Sequence, residues 1–461
     1  MGSLIASLRE AFVLLVADAA GLIGLFYFTH YLRTSLTGRA IPPDPISLMW
    51  IAAVFLMTMY VFDVYRGVLR ESTAKLIIRT SLAVLVAAGV VAILVYFLKP
   101  ELGNPLYWRG VLPVGTAVFL VWAVAWRKGI AAWTQSRMHH SRWLVLGYGP
   151  LARCLWRDVG HNSGLGTLSF IELGNEETRS HPVSMPLPEG KVSAIAEFLK
   201  RSWTGVILAT QLAPDDSVLR DLMQARLRGV RVYDLTDFYE RFLFKLPVLN
   251  LRDGWLILAH GFDLLHHTVE LRTKRLVDVV LSFALMLGLS PLMLVTTIAI
   301  KLDSKGPVFY RQIRTGLNGV TFRLYKFRTM VEDAEQSGAR WAEKNDRRIT
   351  RVGRLLRATH LDELPQLWNV LLGEMSFIGP RPERPDFNSK LEAAIPYYDL
   401  RHLVKPGITG WAQVLYPYGD SVEDAREKLQ YDLYYIKNYS LMLDLVILVR
   451  TLRVVLVGRG R

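Results

Sequence analysis

Two acids stand side by side at Asp362 and Glu363, in the run HLDELPQLWNVLLGEMSFIGPRPE (360–383). Their like charges repel, so keeping them adjacent calls for an account. Pro365 sits well in the first turn of a helix, and the apolar run to Leu372 continues it. The spacing therefore predicts a helix starting at about 362–365, with both acids at its positive end, where carboxylate is favoured over carboxylic acid. An ionised Asp362 can attack phosphorus as a nucleophile. Glu363 can hold Mg2+, a hard cation that takes oxygen ligands and neutralises a diphosphate. Arg381, stiffened between Pro380 and Pro382, is a candidate phosphate clamp. Ordinary helix capping explains Asp362 alone, but leaves the neighbouring Glu363 and the flanking arginines without a reason. These spacings favour a phosphoryl-transfer site.

Cations precede the acids. In SKGPVFYRQIRTGLNGVTFRLYKFRTM (304–330), Gly306, Gly316 and Gly319 signal turns, and the alternation of VTFRLYKFRTM predicts a short strand with Arg323, Lys326 and Arg328 near it. The run NDRRITRVGRLLRATH adds Arg347, Arg348, Arg351, Arg354 and Arg357 on the approach to the acids. Arg314, Lys326, Arg328 and Arg348 are the candidates for substrate phosphate; contact with lipid headgroups accounts equally for such charges, and the two uses are compatible.

What must position these groups is a chain of 461 residues, 51% hydrophobic, with a net charge of +14. The length implies two or three domains. Basic charge beside long apolar segments points to an anionic lipid surface or to phosphates rather than to nucleic acid. Cys154 is the single cysteine, which excludes an internal disulfide and reads as a small core residue. Apolar stretches at 11–28, 46–62, 76–98 and 111–126 each approach the ~20 residues that cross a bilayer. Arg66, Arg70, Lys75 and Arg79 follow the second stretch, and Arg127, Lys128, Arg137 and Arg142 follow the fourth. The other side has Arg33, Arg39, Lys99 and Arg109, so both ends of this four-span bundle are expected in the cytoplasm. Asp18, inside the first stretch, reads equally as a functional ionisable group or as a structural partner to a neighbouring helix.

A fifth apolar segment, 276–300, carries positive charge at both ends: Arg272, Lys274 and Arg275 before it, Lys301, Lys305, Arg311 and Arg314 after it. Ser290-Pro291 near its middle removes a backbone hydrogen bond and bends the helix. A re-entrant helix–break–helix is expected, with the Ser290 hydroxyl satisfying a freed carbonyl. The rival is a plain kinked fifth span.

Between these membrane segments, apolarity falls after residue 140. RWLVLGYGPLARCL, TLSFIEL, VSAIAEFLKRS, GVILAT, DDSVLRDLMQARLRG and VRVYDL alternate as strands and helices, which implies a small parallel sheet. Gly147, Gly149 and Ala152 fit G-x-G-x-x-A, with Glu172 near the place of a ribose-binding acid. A tight turn that binds nothing is the preferred reading over a nucleotide site, since Pro150 lacks the N–H a phosphate would use.

The motifs KRLVDVVLS, GPVFYRQIRTG, YKFRTM, DRRITRVGRLLR, LDELPQLWNVL, SFIGPRP and KPGITGWAQV, in that order with the mid-segment Ser-Pro, resemble the bacterial sugar transferases that are monotopic phosphoglycosyl transferases. The resemblance covers 272–461; the bundle and Rossmann-like part look like the family's large form. It implies transfer of sugar 1-phosphate from a UDP-sugar to undecaprenyl phosphate with release of UMP, in exopolysaccharide or other surface-glycan assembly. On the family's pattern Asp362 is the nucleophile that forms a phosphosugar-enzyme, Glu363 the Mg2+ ligand, Arg381 a substrate-phosphate contact, and Ser290 and Pro291 the membrane break. The expected architecture is a membrane α + α/β chain: a four-helix transmembrane bundle (1–135), a Rossmann-like α/β domain (141–245), a linker (246–271) and a mostly helical catalytic domain (272–461) with a re-entrant helix. The catalytic domain is expected on the cytoplasmic face of the bacterial inner membrane, and the protein as a homodimer.

His360 and Glu374 depart from the family's usual Ser and Asp and leave the donor sugar open. The segment after Gln413-Val414, with the terminal GRGR, looks like the exopolysaccharide subgroup associated with exosortase systems. Tyr431, Tyr434, Tyr435 and Tyr439 suit an interfacial aromatic belt or a core stripe, and 441–458 an interfacial or a buried helix. A dinucleotide enzyme working at Gly147–Ala152, and a non-catalytic scaffold, are the rival functions.

Overall fold

The structure is a computed structural model that describes residues 2–37, 45–62, 64–65, 73–98, 110–138, 141–160, 165–173, 185–210, 214–251, 256, 261–262, 268–331, 346, 348–416, 419 and 421–457. It divides into two compact units, Met1–Phe242 and Leu243–Arg461.

The first unit opens with four helices, α1 (Gly2–Thr37), α2 (Pro45–Val61), α3 (Thr73–Leu98) and α4 (Val111–Met138). Three contain segments long and apolar enough to cross a membrane: Phe12–Leu36, Leu76–Tyr96 and Val111–Ile130. The apolar part of α2, Leu48–Val61, is shorter. This is a membrane protein. Large apolar side chains such as Phe12, Ile78, Leu85 and Val121 point outward, as a lipid-facing surface requires. Phe26, Phe55 and Phe119 meet edge to face in the interior, with ring centroids 5.8 and 5.9 Å apart. Asp18 has a structural role: it accepts two hydrogen bonds from Arg127, at 3.0 and 2.6 Å, and both side chains are buried. Arg127 therefore serves the bundle interior and is not a free orienting charge. Of the other loop charges, Arg39, Arg66, Arg70, Lys99 and Arg109 lie outside the described residues.

A five-stranded sheet follows, formed by β1 (Arg142–Leu146), β2 (Thr167–Glu172), β3 (Gly190–Lys191), β4 (Gly205–Leu208) and β5 (Arg231–Asp234) in the order β3-β2-β1-β4-β5, every pair parallel. Burial of Trp143 to Leu146 explains the unbroken apolar run of β1, since a central parallel strand is covered on both faces. Gly147 leaves β1 at φ +121°, a conformation that needs glycine, and α5 (Pro150–Val159) starts directly behind Gly149. Tyr148 is buried and its hydroxyl donates to the Pro186 carbonyl at 3.1 Å.

Two details differ from the sequence reading. The edge strand β3 is too short to alternate visibly. The stretch 192–201 folds as a 3-10 turn, Val192–Ala194, and one helical turn, Ile195–Phe198, because the Trp203 indole N–H takes the Phe198 carbonyl at 2.6 Å and ends it. The helix α6 (Asp216–Leu227) forms as its pattern predicts.

In the second unit, α7 (Thr268–Gly288) and α8 (Ser290–Asp303) meet at a 60° bend. Pro291 has no N–H for the Leu287 carbonyl four residues back, and the Ser290 hydroxyl donates to that carbonyl instead, at 2.7 Å. A hairpin of β6 (Phe309–Thr315) and β7 (Thr321–Phe327) follows. Then come α9 (Arg351–Thr359), α10 (Gln366–Leu372), the strand β8 (Ser376–Ile378) paired in parallel with β9 (Gly407–Thr409), and α11 (Pro385–Ala394) between them. The unit ends with α12 (Val422–Lys437), started by a Ser421/Asp424 capping box, and α13 (Leu441–Val457).

Of the tyrosine stripe, Tyr434 and Tyr435 are core and Tyr431 and Tyr439 half-buried: Tyr434 stacks on Trp411 with centroids 5.9 Å apart, and the Tyr435 hydroxyl donates to Asp444 at 2.8 Å. Leu246 and Val248, within the stretch read as a linker, are buried in this unit, where the Leu246 N–H donates to the Gln430 carbonyl at 3.0 Å. Residues 252–255, 257–260 and 263–267 of that stretch, and the tail 458–461, lie outside the described residues.

Candidate active site

The acid pair sits where α9 gives way to α10. Thr350 caps the start of α9, and the helix ends at His360, whose left-handed φ of 57° turns the chain. Leu361–Glu363 then form a 3-10 turn, and Pro365 stands as N-cap of a seven-residue helix. The acids are thus not inside the first turn of an α-helix, as their spacing implies, but on a tighter turn just ahead of one. Helix-end charge contributes correspondingly less here, because that effect fades within a turn. The counter-charge comes from side chains.

Glu363 Oε1 accepts from Lys326 Nζ and from Arg381 Nη2, both at 2.9 Å. Burial pushes its pKa up, but the charges and hydrogen bonds of Arg381 and Lys326 more than offset this and hold the carboxyl well below the usual range. Asp362 beside it is 5% exposed. Lys326, Arg381 and Arg314 converge with Leu324, Gln366 and Pro382 on a small, partly open cleft.

The cleft has rigid walls. The loop bearing Arg381 is held at four successive carbonyls: Pro380 by the Gly407 N–H (2.9 Å), Arg381 by the Arg401 guanidinium (2.9 Å), Pro382 by Arg314 (2.9 Å) and Glu383 by the Thr315 N–H (3.0 Å). Arg401 is itself buried and paired with Asp432 at 3.0 Å. Gly407 permits this packing, because a Cβ there would lie 2.1 Å from the Gly379 nitrogen. On the other side, Asn369 is buried and pins α10 to β7. Its Oδ1 accepts from the Tyr325 N–H at 3.1 Å, and its Nδ2 donates to the Arg323 carbonyl and to Glu374, each at 2.7 Å. Arg275 of α7 donates to the Val370 and Leu371 carbonyls at 2.5 and 2.7 Å, satisfying the C-terminal end of α10. The broken apolar helix and the acid-bearing segment are therefore joined directly.

Of the expected phosphate contacts, Lys326, Arg381 and Arg314 gather at the cleft and two residues do not. Arg328 is buried and donates to the Ser304 and Lys305 carbonyls at 2.9 and 2.5 Å, fixing the turn after α8. Arg348 grips Asp346, with contacts from 2.6 to 3.1 Å, and lowers that carboxyl to about 2. Ser290 and Pro291 are at the helix break. Gly147 and Gly149 belong to the first unit's sheet. Arg347 lies outside the described residues.

Gln366, Asn369, Arg275 and Arg401 escaped the sequence reading. Gln366 and Asn369 are two polar residues three apart in an apolar run, a spacing that puts both on one buried helical face and was available as a signal. Arg275 reads as an orienting charge until its acceptors are seen. Nothing local marks Arg401.

Residues 269–458 match the family described as Bacterial sugar transferase. The chain is 42% identical over 241 residues to the UDP-N-acetylgalactosamine-undecaprenyl-phosphate N-acetylgalactosaminephosphotransferase of Aeromonas hydrophila, covering 52% of this chain and 56% of that one. It is 46% identical over 209 residues to the UDP-glucose:undecaprenyl-phosphate glucose-1-phosphate transferase of Xanthomonas campestris pv. campestris, covering 45% of this chain and 42% of that one. The chain thus spans about half the length of these two relatives. It is also 42% identical over 189 residues to the exopolysaccharide production protein PSS of Rhizobium leguminosarum bv. phaseoli, covering 40% of this chain but 94% of that one. The family match covers the acid pair, the cation cleft and the broken helix, and the chain covers nearly the whole of that shorter relative; on this ground the chain belongs to the bacterial sugar transferase family.

Proposed function

We propose that the protein transfers sugar 1-phosphate from a UDP-sugar to undecaprenyl phosphate and releases UMP, as a membrane step of exopolysaccharide or other surface-glycan assembly. The observation that carries the reading is Glu363 shared between Lys326 and Arg381 at a cleft lined by cations, with Asp362 next to it on a tight turn. The names of the Aeromonas and Xanthomonas relatives supply the substrate class.

In the first step a carboxylate oxygen of Asp362 bonds to the β-phosphorus of the UDP-sugar. The bond from that phosphorus to the bridging oxygen breaks, and UMP leaves with the oxygen. In the second step a phosphate oxygen of undecaprenyl phosphate attacks the same phosphorus, and the Asp362 carboxylate departs. Lys326 and Arg381 share the single negative charge of Glu363, and incoming phosphate oxygens compete for them.

The chemistry of the pair fits Mg2+, which binds phosphate sites through one or two carboxylates, with water and substrate oxygens completing the shell. Among the described residues no group of three or more His, Cys, Asp or Glu gathers to hold an ion by itself. Glu363, with Asp362 beside it, would hold the ion, which would neutralise diphosphate charge. The bend at Ser290-Pro291 supports a re-entrant segment with both ends on the cytoplasmic face of the inner membrane, behind a four-span bundle whose second span is the short α2. The joining of α7 to α10 through Arg275 would then set the acids at the lipid boundary, where a soluble nucleotide sugar and a lipid phosphate meet.

The test is UMP release by the full-length protein in nanodiscs from a panel of UDP-sugars with undecaprenyl phosphate. Release with at least one donor, dependent on Mg2+ and on the lipid for continued turnover, is expected. No release with any donor contradicts the reading.

A further inference from the structure

Gln366 lines the cleft yet is used by nothing around it. Its side chain is 3% exposed, and its Nε2 has no hydrogen-bond partner among the described residues. A buried amide N–H left unsatisfied costs free energy that an apolar side chain of the same length would avoid. Its helix neighbours Leu367 and Val370 show that this segment accepts apolar burial. Asn369, one turn on, satisfies both ends of its own amide, so the segment's other buried amide is not wasted in this way. The groups that share the cleft with Gln366 are the cations Arg314, Lys326 and Arg381, which select an anionic oxygen. A fourth cation would add to a positive charge that Glu363 already leaves unbalanced, whereas an amide adds a directed donor without charge.

We propose that Gln366 is a substrate-binding residue, its Nε2–H donating to a phosphate oxygen of the nucleotide diphosphate held by Lys326 and Arg381. This rests on the transferase reading above and names a contact within it. Because an amide end is exchanged by a half turn about χ3, and Nε2 has no bond to lose, the donor can be delivered without disturbing α10.

The experiment measures binding of UDP and of inorganic pyrophosphate to the full-length protein in nanodiscs by titration calorimetry, together with the melting temperature. Wild type, Gln366→Met and Gln366→Asn are compared. Met keeps the length without the donor; Asn keeps the amide but withdraws it by one methylene. Both variants are expected to melt within a few degrees of wild type and to bind both ligands about 10-fold or more weakly, the loss expected for one hydrogen bond to a charged acceptor. Wild-type affinity for both ligands in Gln366→Met overturns the assignment. Weakened UDP binding with unchanged pyrophosphate binding also overturns it, moving the contact to the nucleoside, and so does failure of wild type to bind either ligand. If Met unfolds the protein, the affinity of Gln366→Asn decides by the same criteria. UMP release with wild-type affinity in the variants sinks this inference and leaves the transferase; Gln366-dependent pyrophosphate binding without UMP release from any donor sinks the transferase reading alone.

Discussion

Glu363 lends one oxygen to two cations, and that sharing separates the tasks of the adjacent acids. Its carboxyl is held ionised well below the usual range, so it is fully charged at neutral pH and suited to pairing with cations or metal. In the proposed reaction the nucleophile's task then falls to Asp362. Asp362→Asn, which keeps shape and loses the attacking oxygen, is expected to cut UMP release by about a thousandfold or more, measured as initial rate at saturating substrates. A second prediction at this scale concerns Asn369. Asn369→Leu strands the Tyr325 N–H and the Arg323 carbonyl, at about 1–3 kcal/mol for each group left unsatisfied. It should lower the melting temperature measurably and, by loosening the strand that carries Lys326, lower kcat/KM as well. The Asp-Glu pair and Arg381 were legible from residue types because adjacent acids and a proline-flanked arginine are locally odd. Arg328 and Arg348 were indistinguishable from Lys326 and Arg314 in sequence; only the fold directs the first two to backbone carbonyls and to Asp346.

Among the elements, the loop after β8 and the start of α9 are fixed by partners from distant parts of the chain. Arg401 reaches the Arg381 carbonyl, and Asp303 accepts the N–H of Val352 near the start of α9 at 2.9 Å. Such pairings leave no periodic trace, which is why the elements were readable and their joints were not. The helix break is the exception, since Ser-Pro states its own geometry. Next to Arg401, His402 offers a pH test. Burial and the Arg401 charge push its pKa from 6.5 down to about 4, so the folded state disfavours the protonated ring. Its stabilising contribution is complete above pH 6.5 and is lost as pH falls towards 4, with a slope of up to about 1.4 kcal/mol per pH unit. Melting curves across that range should show wild type losing stability relative to His402→Phe as the pH falls; parallel curves would contradict the cause assigned to the shift.

For the whole molecule, the two compact units assign different work to the two site-like motifs in the chain. The glycine turn of the first unit holds a buried Tyr148 bonded to Pro186, and Gly149 has an ordinary φ of −79°, so Gly149→Val is a fair probe that does not strain the backbone. It is expected to leave UMP release largely intact; loss of activity in a folded variant would favour a dinucleotide enzyme. Topology can be read with Cys154 replaced by alanine and a single cysteine placed at Lys305 or Arg323. An impermeant thiol reagent should fail to label either from the periplasm if the broken helix returns to its own side. The claim on which the account turns is that Asp362 carries the phosphosugar between the two substrates. The most direct measurement is mass spectrometry of the protein quenched with UDP-sugar before undecaprenyl phosphate is added. The account predicts a sugar-phosphate adduct on the peptide containing Asp362, discharged when the lipid phosphate is supplied. An active protein that accumulates no such adduct, or carries it on another residue, would contradict it.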